Sequence, residues 1–242
     1  MSLLSGLIAH WSLNEESGVR YSHNNLNNLS DNNTVTQNLG VVGMAAQFVA
    51  ANSEYLSIAD NADVSVPANQ SFTISAWVYP DTAQTDAGVI AKRWIAVSAD
   101  YSLLVVSGNF RWGMYSSANI YASPALVTGV WQLVTVDYDS VAQLVGIQIN
   151  NNTKQTAAGS TGSEDGAAPF LIGTYGSADF SFNGRIDSVG IWKRVLTSAE
   201  IATLYNNGMG LEYPWDNYAR NLRRNRQVGQ ITNTVMPINA KR

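Results

Sequence analysis

The chain has no cysteine and only two histidines among its 242 residues. The first absence excludes disulfide staples, thiolate nucleophiles and cysteine-ligated metals. The second leaves His10 and His23 as the sole imidazoles, and no Ser/His/Asp set stands out around them. Charge is scarce too. Asp, Glu, Lys and Arg make up 13% of the chain, about half the usual share, which argues against long charged helices. No apolar run approaches the roughly 18 residues of a membrane-crossing helix. The start, Met1 to Trp11, lacks a basic segment, and Ser5 and Gly6 interrupt its apolar run, so no secretory signal is expected. Neither a GxxxxGK[ST] phosphate loop nor an HExxH metal helix occurs.

What is present suits a β-rich domain. Hydrophobic residues make up 45% and aromatic residues 10%, enough to fill a core, while Asn, Ser, Thr and Gly supply the polar turns. Phe72–Pro80 alternates cleanly: Phe72, Ile74, Ala76 and Val78 fall on one face, and Thr73, Ser75, Trp77 and Tyr79 on the other. Tyr101–Val106 and Asn109–Tyr115 flank Ser107-Gly108 and predict a hairpin. In its second arm Trp112 and Met114 share one face; Arg111, Gly113 and Tyr115 share the other. Leu7–Leu13, Val89–Lys92, Trp131–Tyr138, Val145–Asn151 and Phe170–Gly173 are further strands, and Met44–Phe48 with Glu54–Ile58 reads as a short strand pair. Residues 14–40 are rich in Asn and Ser and read as loop. About a dozen short strands with regular turn signals predict a sandwich or barrel.

The most informative stretch is near the end. Asn183-Gly184 is a turn dipeptide, Ile186, Val189, Ile191 and Trp192 form an apolar strand, and Thr197 stands three residues before Glu200, the capping-box spacing. Ile201, Leu204 and Tyr205 then make the buried stripe of a short helix. The order "FNGRIDSVGIW" followed by "LTSAEI" resembles the closing segment of laminin G-like domains of the concanavalin A-like lectin/glucanase superfamily, distantly related to pentraxins. The strands from about residue 7 to about residue 208 resemble that family's motifs in the same order. The resemblance implies an all-β fold over residues 1–215. It is a two-sheet antiparallel jelly-roll sandwich with a short helix near its end.

The resemblance also implies which chemistries to weigh. Glucanases of the superfamily use a Glu-x-Asp-x-x-Glu strand. This chain has none: Glu15, Glu16, Glu54, Glu164, Glu200 and Glu212 all fall in loops, turns or the helix. Asp137 and Asp139 stand at a strand end, where a turn role is the simpler reading. A non-enzyme is therefore expected. Pentraxins bind calcium partly through an Asp-Asn pair that Ala99-Asp100 replaces here, and through an acidic cluster of which Asp179 survives. One calcium ion is the implied cofactor, held near Asp100 and Asp179 or by Asp187. Asp187 has a competing role as a buried acid that pins a turn through backbone amides. For a glycan, the expected platform is Trp94, Tyr101, Trp112, Tyr115 and Tyr121, since aromatic faces stack on sugars. Core filling is the alternative for each.

Charge divides the chain in two. Residues 1–215 carry eight basic and seventeen acidic side chains, net −9, while residues 216–242 carry six basic and one acidic, net +5. The tail is too short for its own core and reads as an extended basic arm. Arg220, Arg223, Arg224 and Arg226, with anchors such as Ile231 and Met236, suit docking on a protein partner or a homo-oligomer better than binding nucleic acid. Laminin G-like domains usually act outside cells, whereas nothing here signals export. A virion protein reconciles the two: made in the host cytoplasm, displayed on the virion surface as a phage capsid-decoration or tail-associated protein, and binding glycans. The alternatives are a stand-alone extracellular carbohydrate-binding protein and an accessory domain of a polysaccharide-active enzyme.

Overall fold

The computed structural model describes residues 2–66, 69–94, 97–114, 117–159, 166–176 and 180–215; the side chains of 93–99 and the whole of 216–242 lie outside that description. Its strands, numbered in chain order, form two antiparallel sheets. In the first, neighbours run β13 (Gln155–Ala158), β12 (Leu144–Ile149), β11 (Gln132–Asp139), β6 (Phe72–Pro80), β15 (Gly184–Trp192), β4 (Met44–Phe48) and β3 (Thr36–Leu39), and β1 (Leu7–Trp11) lies along the second half of β15. In the second they run β10 (Ile120–Tyr121), β9 (Asn109–Met114), β8 (Val97–Val106), β7 (Asp86–Trp94), β14 (Phe170–Ile172), β5 (Tyr55–Ile58) and β2 (Ser30–Asn32). This is the expected two-sheet sandwich.

The sheets face each other across one continuous core. Phe72, Ile74, Ala76 and Val78 of β6 meet Tyr101, Leu103 and Val105 of β8 and Phe110 and Trp112 of β9. The period of two seen in the sequence is what sends these residues inward together. The opposite set on β6 is also covered. Trp77 joins Leu133, Trp192, Leu196, Ile201, Leu204, Leu211 and Trp215 in a second apolar cluster on the outer face of the first sheet. The helix α1 (Ser198–Tyr205) closes that face. Thr197 caps it as the spacing predicted: its hydroxyl accepts from the Glu200 N–H, and the Glu200 carboxylate accepts from the Thr197 N–H. Arg194 clamps the same carboxylate with two bonds of 2.7 and 2.8 Å.

Two expectations change. Met44–Phe48 and Tyr55–Ile58 do not pair with each other; they belong to different sheets and are joined by a tight turn at Ala50–Asn52. Alternation reports which face a residue takes, not which strand lies beside it. The Asn- and Ser-rich stretch 14–40 contains two polar strands, β2 and β3. They lie at sheet edges, where no apolar alternation is required of them.

A candidate polar cleft on the second sheet

Among the described residues no helix covers the outer face of the second sheet. That face carries a cleft of about 360 Å³ lined by Asp86, Ser102, Val106, Arg111, Gly113, Met114, Asn119 and Tyr175. Strand register explains the arrangement. Across neighbouring strands Tyr121 lies opposite Arg111, Arg111 opposite Leu104, and Leu104 opposite Gly88. One step along, Gly113 lies opposite Ser102 and Ser102 opposite Ala91. Residues directly opposite share a face, so Arg111, Ser102 and Tyr121 point the same way.

Two glycines shape the cleft. A Cβ on Gly88 would collide with the Thr174–Tyr175 backbone, which therefore lies flat on β7. That close approach brings Tyr175 over the sheet, where it stacks on Phe180 at 4.3 Å and packs with Ala91 and Leu104. Its hydroxyl donates to Asp86 Oδ2 at 2.9 Å, closing one wall. A Cβ on Gly113 would meet the Asn119 amide oxygen, so this side chain reaches over β9 as the opposite wall. Between the walls, the Arg111 guanidinium, the Ser102 hydroxyl and the Asn119 amide have no hydrogen-bond or ion-pair partner among the described residues. Ser102 is buried and Arg111 half-buried, and polar groups so placed are usually paired within the protein; Asn119 is exposed, and all three face an open concavity.

The expected glycan residues divide. Tyr121 is 49% exposed beside Arg111, at the margin of the cleft. Tyr101 and Trp112 are corrections. Both point inward, at 1% and 0% exposure, and their polar atoms are spent on backbone carbonyls, Tyr101 on Val64 and Trp112 on Asp137. Tyr115 and the Trp94 side chain lie outside the described residues. Sequence reasoning missed Asp86, Ser102, Asn119 and Tyr175 altogether. The available signal was Gly88 and Gly113 inside strands, where a missing side chain often marks a close approach.

The acids expected to hold calcium are engaged elsewhere. Asp100 accepts from the Lys92 ammonium at 2.5 Å and from the Gly166 N–H at 2.9 Å. The same ammonium contacts Asp60 at 2.8 Å and the Gly166 carbonyl. Lys92 thus fills, with its own cation, the oxygen cage to which Asp100 belongs. Its hydrogen bond is the main cause that holds the Asp60 carboxyl below the usual range. Asp187 pins a turn, the competing role: its Oδ2 accepts the N–H groups of Val41 and Val42 at 2.8 and 3.0 Å. Burial pushes its carboxyl up to about 7 against those bonds. Asp179 lies outside the described residues. Among the described residues no three His, Cys, Asp or Glu side chains gather.

No hydrolytic set assembles among the described residues either. The Asp139 carboxylate accepts from the N–H groups of Val141 and Ala142, a turn role, and Asp137 is held by both bonds of Lys154. His10 Nε2 lies 3.0 Å from Ser188 Oγ, which suggests a nucleophile and base. The other ring nitrogen, however, has no partner among the described residues to orient it. The ring is buried under Tyr213 and Trp215, stacked on the former at 4.9 Å. Burial, helped by His23, lowers its pKa to about 3, so the ring is a neutral packing element at ordinary pH.

A laminin G-type family model, described as the concanavalin A-like lectin/glucanases superfamily, matches residues 50–202. The chain belongs to that superfamily. No curated protein matches it. Among solved structures it is similar to the binding domain of botulinum neurotoxin serotype G, with a TM-score of 0.66 and 15% identity over 86% of this chain and 53% of that one. It is also similar to a structure of botulinum neurotoxin type C, whose cell entry is dependent upon interaction with two ganglioside molecules (TM-score 0.64, 15% identity, 84% and 51% covered). A third is domain 4 of AbnA, a GH43 extracellular arabinanase from Geobacillus stearothermophilus, in complex with arabinotriose (0.63, 20%, 82% and 97%). The chain spans about half the length of the toxin structures it matches, and at these identities the likeness is one of fold. No helix among the described residues is long and apolar enough to cross a membrane.

Proposed function

We propose that this superfamily member is a carbohydrate-binding module that works through the cleft on its second sheet, without catalysis. The observation that carries the reading is the set of unpartnered polar groups on Arg111, Ser102 and Asn119, walled by Tyr175 and flanked by Tyr121. Sugar hydroxyls need such donors and acceptors, and an aromatic wall suits their C–H faces. The ganglioside-dependent toxin and the arabinotriose-bound domain support a lectin-like use of this fold. Against catalysis, the cleft offers one carboxylate among the described residues, Asp86, whereas glycoside hydrolysis ordinarily uses two.

The module is displayed by its C-terminal arm. Trp215, the last described residue, is buried on the outer face of the first sheet, on the other side of the sandwich from the cleft. Docking through residues 216–242 would then leave the cleft facing outward. Display on a virion is the specific setting proposed, motivated by the basic arm on an acidic body, and many copies would multiply weak contacts.

The test is titration of the full chain with arabinotriose, lactose and an oligosaccharide panel, followed by tyrosine and tryptophan fluorescence and calorimetry. Saturable binding that is lost in Ser102→Phe, which fills the cleft, supports the reading. Binding that survives Ser102→Phe in a folded variant moves the site elsewhere. Light scattering of the full chain against residues 1–215 tests the arm. Residues 1–215 associating as strongly as the full chain would remove its assembly role.

A further inference from the structure

Building on the carbohydrate reading, we infer that the cleft selects sugars bearing a carboxylate, with Arg111 as the group that takes it. Arg111 extends from β9 into the concave face, half-buried between Leu104 and Tyr121. The other arginines whose side chains are described serve the fold internally. Arg20 donates to the carbonyls of Gly18 and Val35, Arg185 packs over Tyr79 beside Asp81, and Arg194 clamps Glu200. Among the described residues Arg111 has no such duty. Its guanidinium keeps all five donors for whatever enters the cleft, in a fixed planar fork that matches a carboxylate with two parallel bonds.

The neighbouring acid does not cancel it. Asp86 lines the same cleft but forms no ion pair with Arg111, and its Oδ2 is taken by the Tyr175 hydroxyl. The acidic balance of residues 1–215 opposes an anion only at long range, and ions at physiological strength screen charges beyond about 8 Å. A bidentate contact inside a cleft escapes most of that screening. Ser102 of β8, opposite Gly113, and Asn119, which reaches over Gly113, stand two residues along from Arg111, where they would meet the hydroxyls or amide of the same sugar ring. The shared chemistry is a carboxylate on a pyranose; a terminal sialic acid and a uronic acid both carry it.

The experiment compares each acid with its own methyl ester, which keeps the skeleton and removes the charge. The full chain is titrated by calorimetry with sialyllactose, trigalacturonate and the two esters. At least one acid is expected to bind about tenfold or more tighter than its ester, the scale of one charge-assisted bond pair. Whichever pair shows the gap identifies the source of the carboxylate. Arg111→Gln should collapse the acid-to-ester ratio to about one, and Arg111→Lys should retain part of it. Melting curves verify that both variants fold. If the chain binds acids and esters, or neutral sugars, equally well, the carboxylate inference is overturned and the carbohydrate reading stands. A ratio that survives Arg111→Gln in a folded protein overturns the role of Arg111. If none of the sugars, acidic or neutral, binds, the carbohydrate reading falls and takes this inference with it.

Discussion

Removing the Lys92 ammonium should be among the most damaging single changes in this protein. The Lys92 and Asp100 side chains are both 0% exposed, while Asp60, the third member, is 35% exposed. Lys92→Met keeps the length and apolar stem of the side chain but deletes the charge. Asp100 would then sit in the interior, still accepting from the Gly166 N–H but with its Lys92 ion pair gone. Breaking a buried pair by removing one partner costs about 3–5 kcal/mol. In a domain of this size that lowers the melting temperature by roughly 6–20 °C. The double variant Lys92→Met/Asp100→Leu removes the stranded charge and should recover most of the loss, because an apolar replacement for a buried pair is often neutral. The assay is urea unfolding of the four proteins of the cycle. A Lys92→Met variant within 1 kcal/mol of the parent would refute the reasoning, as would a double variant no better than the single one. The same substitution leaves Asp60, Asp100 and the Gly166 carbonyl around a vacated cation position of hard oxygen ligands. Calcium at ten times its dissociation constant would then return about 1.4 kcal/mol to Lys92→Met. At that cage it would return nothing to the parent, whose ammonium is already there.

Other substitutions probe the cleft, the helix and the buried acid–base groups. Gly88→Ala should lift the Thr174–Tyr175 backbone from β7 and abolish sugar binding while the circular dichroism of the sandwich is kept, since the clash is with backbone that cannot rotate away. Thr197→Ala removes half of the capping box and should cost about 1 kcal/mol by denaturant titration, with no change in the cleft. His10, lowered to about 3 from 6.5, contributes stability that is complete above pH 6.5 and lost as the pH falls toward 3. His10→Gln should therefore flatten the acid limb of the stability curve, by up to about 1.4 kcal/mol per pH unit. Asp187 has the opposite sign. Raised to about 7 from 3.8, it contributes stability below pH 3.8 that is lost as the pH rises through 7. Asp187→Asn, which keeps an acceptor for Val41 and Val42, should gain on the parent between pH 4 and pH 8 in the same titrations.

The parts of this fold that were legible in the sequence are those where burial imposes a period. Phe72–Pro80 was legible because Phe72, Ile74, Ala76 and Val78 fill the core between the sheets at a period of two, and the Thr197–Glu200 spacing because a helix start needs acceptors for its free N–H groups. The edge strands β2, β3, β10 and β13 carried no such signature: β10 is only two residues long, and the others are short and largely polar. Burial of charge was equally silent. Lys92 ends an apolar run and looks like a solvent-facing strand end, and only the fold shows that Asp60, Asp100 and Gly166 converge on it. Aromatic content misled for a related reason. A tryptophan wanted by a core and a tryptophan wanted by a sugar are the same letter, and only the face it takes on β9 separates Trp112 from Arg111.

That face selection is also what makes the cleft affordable to the fold. The first sheet buries its outer surface beneath α1 and the 211–215 segment, so the apolar residues there serve stability. No helix of the described residues covers the outer surface of the second sheet, and its strands place Ser102, Arg111 and Gly113 where a covering helix would demand apolar residues. Among the described residues Thr174, Tyr175 and Phe180 fold over it, and their cover is partial because Gly88 draws the backbone down at one point. A polar concavity is the physical result of an incomplete third layer on an otherwise complete sandwich. If that is its origin, filling the cleft with apolar volume should stabilise the protein as it destroys binding. Ser102→Phe is the direct case: a melting temperature equal to or above that of the parent, with sugar binding lost, is the expected pair of results. A folded Ser102→Phe protein that melts well below the parent would show instead that the polar lining is structural.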